Sequence, residues 1–532
     1  MGYCARHPAD RHRLPVDRAL SGTRPGNAPL APGRPGGAGR GAGSAGDRRR
    51  LLRAGLHAAQ TQGLRRRAGP RRPDRARGGD ARPPVSPKPP DRRPHPKPRK
   101  RPEPRPPADP RAVALDVLGA VLRRGHGLDE ALDGHTDLAH MEGRDRGFVR
   151  NLTATALRRK GQIDALLSGL VERPLPPKAA AVTDILRLGA AQILFFETPA
   201  HAAVDTAVSL TRARRLPTYA GLVNAVLRRL AQGGLALRDA QDAARLNTPD
   251  WLWESWSTAY GEATCRRIAE AHLAEPPLDV SVKGDPDHWA GVLGGTVLAT
   301  GSVRLHPHGP IPALPGFAEG AWWVQDAAAA LPARLLGPVA GKTVLDLCAA
   351  PGGKSAQLAA AGARVIAVDR AQGRVARLRA NLDRLQLPVE TVIADAVTWR
   401  PDELADALLL DVPCSATGTL RRHPDAAWLR TPGDLDALAP LQQALLEAAV
   451  AMVRPGGLIV YCACSLQPGE GTQRIDALIG NGAPVAREPV AAGEVGGMAE
   501  LITEAGDLRT FPFHMEQEGG MDGFFAARLR RL

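Results

Sequence analysis

At 532 residues the chain exceeds what one hydrophobic core holds, so two or three domains with linkers are expected. Its formal charge of +15 is unevenly placed: residues 1–110 carry 27 Lys or Arg against 8 Asp or Glu, leaving 43 basic and 47 acidic residues for the rest. The basicity belongs to the tail, and the slightly acidic remainder gives no charge-based case for nucleic acid beyond a local basic face. The N-terminus has no apolar h-region and the chain has no run of about 18 apolar residues, so neither a signal peptide nor a membrane span is predicted and a cytoplasmic location is expected. Six irregularly spaced cysteines without paired C-x-x-C motifs point to thiols rather than disulfides.

The tail, with "RRPDRARGGDARPPVSPKPPDRRPHPKPRKRPEPRPPADP" at 71–110, is too poor in apolar residues to offset its ordering entropy. Residues 1–107 are therefore predicted to be disordered: a solvated extension, sequence upstream of the true start, or a basic arm that tethers RNA. From 108 to 238 the pattern is helical. Leu115, Leu118, Val121 and Leu122 share one face, and "AAAVTDILRLGAAQILFFE", "HAAVDTAVSLTRARR" and "AGLVNAVLRRLAQ" follow, separated by breakers such as Pro199 and Pro217. In the last stretch Leu222, Val223, Val226, Leu227 and Leu230 form the expected buried stripe, with Arg228 and Arg229 toward solvent.

Residues 245–320 read as a small α+β module without a catalytic cluster. Its "WLWESWSTAYG" at 251–261 could stack on bases, but aromatics at helical spacing more often fill a core or a domain seam. From 321 to 532 short apolar runs alternate with helical spans: 343–350, 364–369, 389–395, 406–413 and 457–464. That alternation predicts an α/β, Rossmann-like doubly wound parallel sheet, its strands continuously apolar because both faces are covered.

The first run enters "CAAPGGKSAQLA", a Gly-rich turn opening a helix. A phosphate-binding loop would need Gly where Cys348 stands, and only Gly352-Gly353 remains of a dinucleotide fingerprint. Asp369 closes the second strand, where an acidic side chain accepts from ribose hydroxyls in such folds, and Asp395 and Asp411 close the third and fourth. Each alone could be a helix cap; together they favour a nucleoside ligand without polyphosphate, and S-adenosylmethionine fits.

"DVPCSATG" at 411–418 and "YCACSLQPGE" at 461–470 each end an apolar run in Cys-Ser. Cytosine C5 becomes nucleophilic once a thiolate adds to C6, and loss of the C5 proton then permits elimination of the enzyme. Cys414, Cys464 and Asp411 suit parts of that chemistry, although spacing does not rank the two thiols. Cys348 and Cys265 read as inert and buried. A zinc reading of Cys414, Cys462 and Cys464 lacks a ligand-spaced partner pair, so no metal is expected.

The motifs "LDLCAAPGGKSAQLA", "VDR", "IADA", "DVPCSATGTLRRHPDAAW", "GGLIVYCACSLQPGE" and "GGMDGFFAARL", in this order, resemble the Sun/Fmu family of RNA cytosine-5 methyltransferases over 320–532. The helical region 108–238, with "PAHAAVDTAVSLTRARRLPTYAGLVNAVLRRL", is similar to the NusB-like RNA-binding domain of that family's bacterial 16S rRNA branch. The resemblance implies that Cys348, Ala349, Ala350, Pro351, Gly352, Gly353 and Lys354 hold the methionine part of S-adenosylmethionine. It also implies that Asp369 binds the ribose, that Asp395 and Asp411 lie on the cofactor side, that Cys464 is the nucleophile and that Cys414 assists turnover and release. Its implied substrate is 16S rRNA, with tRNA or another RNA as alternatives, acted on by a monomer. A non-catalytic antitermination-type factor is the contrasting reading. Ala463 stands where the family usually has Thr, and Cys462 would share a strand face with Cys464, which leaves a role for Cys462 open.

Overall fold

The computed structural model describes residues 108–196, 198–306 and 309–532, so the expected disorder of residues 1–107 lies outside it. Among the described residues no helix is long and apolar enough to cross a membrane. The first helix, Pro110–Arg124, starts where the Asp109 carboxylate accepts from the Arg111 amide at 2.9 Å, and stops at Gly125, whose φ of 75° its missing Cβ permits. Leu115, Leu118 and Val121 turn into a core shared with helices Gly143–Arg158, Ala180–Phe195, Ala200–Ala213 and Ala220–Asp239. In the last of these Val223, Val226, Leu227 and Leu230 are buried, Leu222 half-buried, and Arg228 and Arg229 exposed, matching the stripe read from the sequence.

Helices Asp250–Tyr260 and Glu262–Ala271 lead to strands β1 (Leu278–Val282), β2 (Gly295–Val297), β3 (Val303–Leu305) and β4 (Trp322–Val324), an antiparallel sheet in the order β2-β3-β1-β4. Its last strand falls beyond 320, so the small module reaches further than its sequence boundary. The short run "WWV" pairs with β1 some 40 residues upstream, a partner that no local periodicity announces. Trp256 is fully buried with Leu252, Ile268, Leu420, Leu466 and Phe513, so the Trp-rich stretch packs a seam.

The large sheet comprises β5 (Thr343–Leu347), β6 (Arg364–Asp369), β7 (Val389–Ile393), β8 (Ala405–Asp411), β9 (Val453–Ala463), β10 (Val485–Arg487), β11 (Leu508–Thr510) and β12 (Phe524–Arg531). Its order is β10-β12-β9-β8-β5-β6-β7, parallel from β7 to β9 and antiparallel where β12 joins β9, with β11 also on β12. Leu408, Leu410, Ile459, Tyr461 and Ala463 fill one face, while Leu409, Val460 and Cys462 fill the other. Burial on both faces explains the unbroken apolar runs, each such Leu contributing about 1.5–3 kcal/mol. The chain runs β5, β6, β7 to one side and then crosses to β8 on the other, so the topological switch point lies between β5 and β8, where such sheets bind ligands.

Candidate active site at the carboxyl edge of the sheet

Each strand at the switch point carries an acid at or next to its end and a cysteine just beyond it, Asp346 and Cys348 for β5, Asp411 and Cys414 for β8. After β5 the backbone bends through Cys348 at φ 60°, a cis Ala350–Pro351 bond and Gly352 at φ 103° before helix Gly353–Ala360 begins. Gly352 is required twice over: its φ is left-handed, and a Cβ there would lie 2.4 Å from Leu378 Cδ1. Asp346, buried in β5, accepts from Ser355 Oγ at 2.5 Å, while its Oδ1 has no partner among the described residues. Burial, reinforced by the Asp411 and Asp369 charges, raises the Asp346 carboxyl to about 7. Asp369, at the end of β6, accepts from the Ala350 and Ala371 amides at 3.3 and 3.1 Å and pairs with Arg374 at 3.2 Å. Its carboxylate thus holds the Gly-rich turn to the neighbouring strand. Asp395 stands apart: it is exposed beyond β7 and accepts from the Val397 amide at 2.9 Å, closing a local turn.

The thiols converge. Cys414 Sγ lies 3.4 Å from Cys464 Sγ, although 50 residues separate them. The Cys414 thiol is held well above its ordinary range, first by its hydrogen bond to Cys464 and then by burial, so Cys414 retains its proton. Asp411 ends β8 opposite Cys462 of β9; its Oδ2 accepts from Lys354 Nζ at 2.7 Å and its Oδ1 from Cys462 Sγ at 3.5 Å. Cys462 is fully buried, and burial followed by the Asp411 charge pushes its thiol well up, so it stays protonated. Burial works against the Lys354 charge, but the Asp411 carboxylate bonded to it outweighs burial and holds the ammonium. The Cys348 thiol is raised to about 12, mainly by burial, although the residue is half-buried rather than fully buried as expected.

One residue that the sequence reading passed over ties the two loops together. Glu470, buried after β9, takes Ser415 Oγ at 2.5 Å and Ser465 Oγ at 2.6 Å on one carboxylate oxygen. Its other oxygen takes the Ser415 amide at 2.9 Å and Gln442 Nε2 at 3.0 Å. The repeated Cys-Ser was the available signal, since two hydroxyls brought side by side need a common acceptor.

The segment following Cys414 reaches outward. Arg421 and Arg422 are held by the buried carboxylates of Asp326 and Asp522, Arg422 at 2.5 and 3.0 Å. Arg158 of the helical bundle donates to the Arg421 carbonyl at 2.9 Å. Asp425 accepts at 3.0 Å from the Leu128 amide, capping helix Leu128–Asp133, which has no side-chain cap of its own. Trp428 Nε1 donates to the Leu157 carbonyl at 2.8 Å beneath the Lys160 ammonium, 4.3 Å from its ring.

The residues fit S-adenosylmethionine by their chemistry. Asp346, Asp369 and Asp411 bring carboxyl groups, one with an unpartnered buried acceptor, beneath a turn that lets backbone come close, which suits the hydroxyls and amine of a sulfonium nucleoside. Comparison with known proteins agrees. The family model for 16S rRNA methyltransferase RsmB/F matches residues 333–530, and that for the NusB family matches 108–232. Ribosomal RNA small subunit methyltransferase B of Pseudomonas putida is 35% identical over 442 residues, spanning 79% of this chain and 98% of that protein. The Vibrio cholerae protein of the same description is also 35% identical, over 69% of this chain and 88% of its own length. The crystal structure of PH0851 has the same fold, with a TM-score of 0.64 at 22% identity, covering 80% of this chain and 99% of that one.

Proposed function

Because this chain belongs to the RsmB/F family of 16S rRNA methyltransferases, joining a NusB domain to a methyltransferase domain that uses S-adenosylmethionine, we propose that it methylates cytosine at C5 in 16S rRNA through a covalent Cys464–C6 intermediate. The 3.4 Å approach of the Cys414 and Cys464 sulfurs beside the acid-lined switch point carries this reading. S-adenosylmethionine, when bound, supplies an electrophilic methyl group. The turn from Cys348 to Lys354 and the carboxyl groups of Asp346, Asp369 and Asp411 would hold it. Asp395, facing solvent, would contribute only at the rim.

Cys464 then forms the S–C6 bond, with the electron pair moving to C5 as that carbon takes the methyl group. Asp411 keeps the Lys354 ammonium in place at 2.7 Å. The C5 proton passes to solvent, its electron pair returns to the ring and the Cys464 sulfur is expelled. Cys414, which retains its proton beside that sulfur, donates toward it as it leaves. Cys462 supports the Asp411 carboxylate from below and is too buried to reach a base. The intact set Cys464, Cys414, Asp411 and Lys354 argues against a non-catalytic antitermination-type factor. The test is transfer of labelled methyl to rRNA and tRNA fragments. Wild type is expected to label 16S rRNA fragments only, and Cys464→Ala none; labelling of tRNA in preference would reassign the substrate, and full activity of Cys464→Ala would end the proposed chemistry.

A further inference from the structure

We infer that Glu470 is a positioning residue for the thiol pair, a clamp that sets the distance between Cys414 and Cys464 by gripping the serine after each. This rests on the roles proposed for the two cysteines. Cys464 leaves the end of β9, whereas Cys414 lies in an irregular loop beyond β8, and the backbone bonds between those loops are few: Gly418 amide to Cys464 carbonyl at 3.1 Å and Val412 amide to Cys462 carbonyl at 3.0 Å. Side chains supply the rest. Ser415 Oγ and Ser465 Oγ both donate to one Glu470 oxygen and lie 3.2 Å from each other, and Thr417 Oγ1 is 3.2 Å from Ser465 Oγ and accepts from the Leu466 amide at 3.1 Å. The clamp is itself held, with Gln442 on the second oxygen and the Tyr461 hydroxyl donating to the Glu470 carbonyl at 2.7 Å. Glu470 is buried, and its grip on the cysteines passes through the serine after each. A hydroxyl pair fixed at 3.2 Å, one residue along from each cysteine, fixes the sulfurs at 3.4 Å.

Alanine at 470 leaves both hydroxyls, the Ser415 amide and the Gln442 amide without their buried acceptor. Glutamine retains the bridge, because its carbonyl oxygen can serve the two N–H donors while its amide donates to the two hydroxyls, which also accept. Glu470→Ala and Glu470→Gln are therefore to be compared in the full chain by two readouts. In the first, diamide accepts the two hydrogens and two electrons of the thiols as the S–S bond forms, becoming the hydrazine, and peptide mapping follows the Cys414–Cys464 disulfide. The second is steady-state methylation with kcat and KM separated. The clamp requires disulfide formation about tenfold slower in Glu470→Ala and kcat about 10²-fold lower at little-changed KM, both largely restored in Glu470→Gln. Wild-type rates of disulfide formation in Glu470→Ala overturn the clamp, and glutamine as inactive as alanine replaces it with a proton-transfer role. Should Glu470→Ala not fold, Ser465→Ala removes one arm and must slow disulfide formation by a smaller factor; an unchanged rate overturns the clamp. Should wild type neither methylate RNA nor form an adduct, the cysteine roles fall, while the disulfide rates still decide whether Glu470 sets the spacing.

Discussion

The two Cys-Ser loops look alike in sequence and are built in opposite ways. Cys464 follows directly on β9, which is hydrogen-bonded to β8 on one side and β12 on the other, with Cys462 in register with Asp411 and Ala526. Cys414 lies in a loop whose position depends on side chains: Glu470 below, the Arg421 and Arg422 pairs beyond, and Asp425 and Trp428 docked on the helical bundle. At one point that loop needs backbone on backbone, for a Cβ on Gly418 would lie 1.9 Å from the Gly523 carbonyl oxygen. A sheet places the thiol proposed to make the bond, and contacts that cross from domain to domain place the thiol proposed to break it. Damage to the helical bundle should therefore harm release before it harms attack.

Four substitutions probe that contrast. Arg421→Ala is expected to be the most damaging, since it leaves the buried Asp326 and Asp522 carboxylates short of a cation and should cost about 3–5 kcal/mol, read as a lower urea midpoint. Trp428→Ala removes the ring under Lys160 and the bond to Leu157, and should cost about 1–3 kcal/mol while raising the steady-state share of RNA-linked protein on denaturing gels. No rise in linked protein would show that docking on the bundle does not govern release. Asp346→Asn tests the sheet side. The folded carboxyl is raised to about 7 from 3.8, so the native state holds its proton longer than the unfolded chain. Its stabilising contribution is complete below pH about 4 and declines as pH rises to about 7. Asn, unable to ionise, should flatten that part of the stability profile, and an unchanged slope in thermal melts would refute the assignment. The smallest effect belongs to Asp425→Ala, which uncaps helix Leu128–Asp133 at a cost of about 0.5–2 kcal/mol, visible as faster amide exchange at Leu128.

How much of this was legible in the sequence follows from the range of each interaction. Buried parallel strands advertise themselves locally, and so "ALLL" and "LIVY" marked β8 and β9, and "RVIAVD" marked β6 to the residue. Acids at successive strand ends pointed to the carboxyl edge of the sheet, where Asp369 and Asp411 lie and Asp395 closes a local turn, whereas Asp346, inside β5, gave no such signal. The strands β10 to β12 went unread as strands because they are short or carry Arg528 and Arg530 within "FFAARLRR", and their partners are distant in sequence: β12 pairs with β9, and β10 and β11 pair with β12. Lys354 sits in the Gly-rich motif, but its partner is Asp411, 57 positions on. Glu470 meets Ser415 across 55 residues, and Asp326 meets Asp522 across 196. Periodicity has no means of announcing such partners; topology creates them.

The account stands most directly on which sulfur bonds to RNA. Cys414→Ala, incubated with 16S rRNA fragments and S-adenosylmethionine, should accumulate a denaturation-resistant adduct, and mass spectrometry of its peptides should place the nucleotide on Cys464. A nucleotide on Cys462, or an adduct formed through Cys414 by the Cys464→Ala protein, would contradict it.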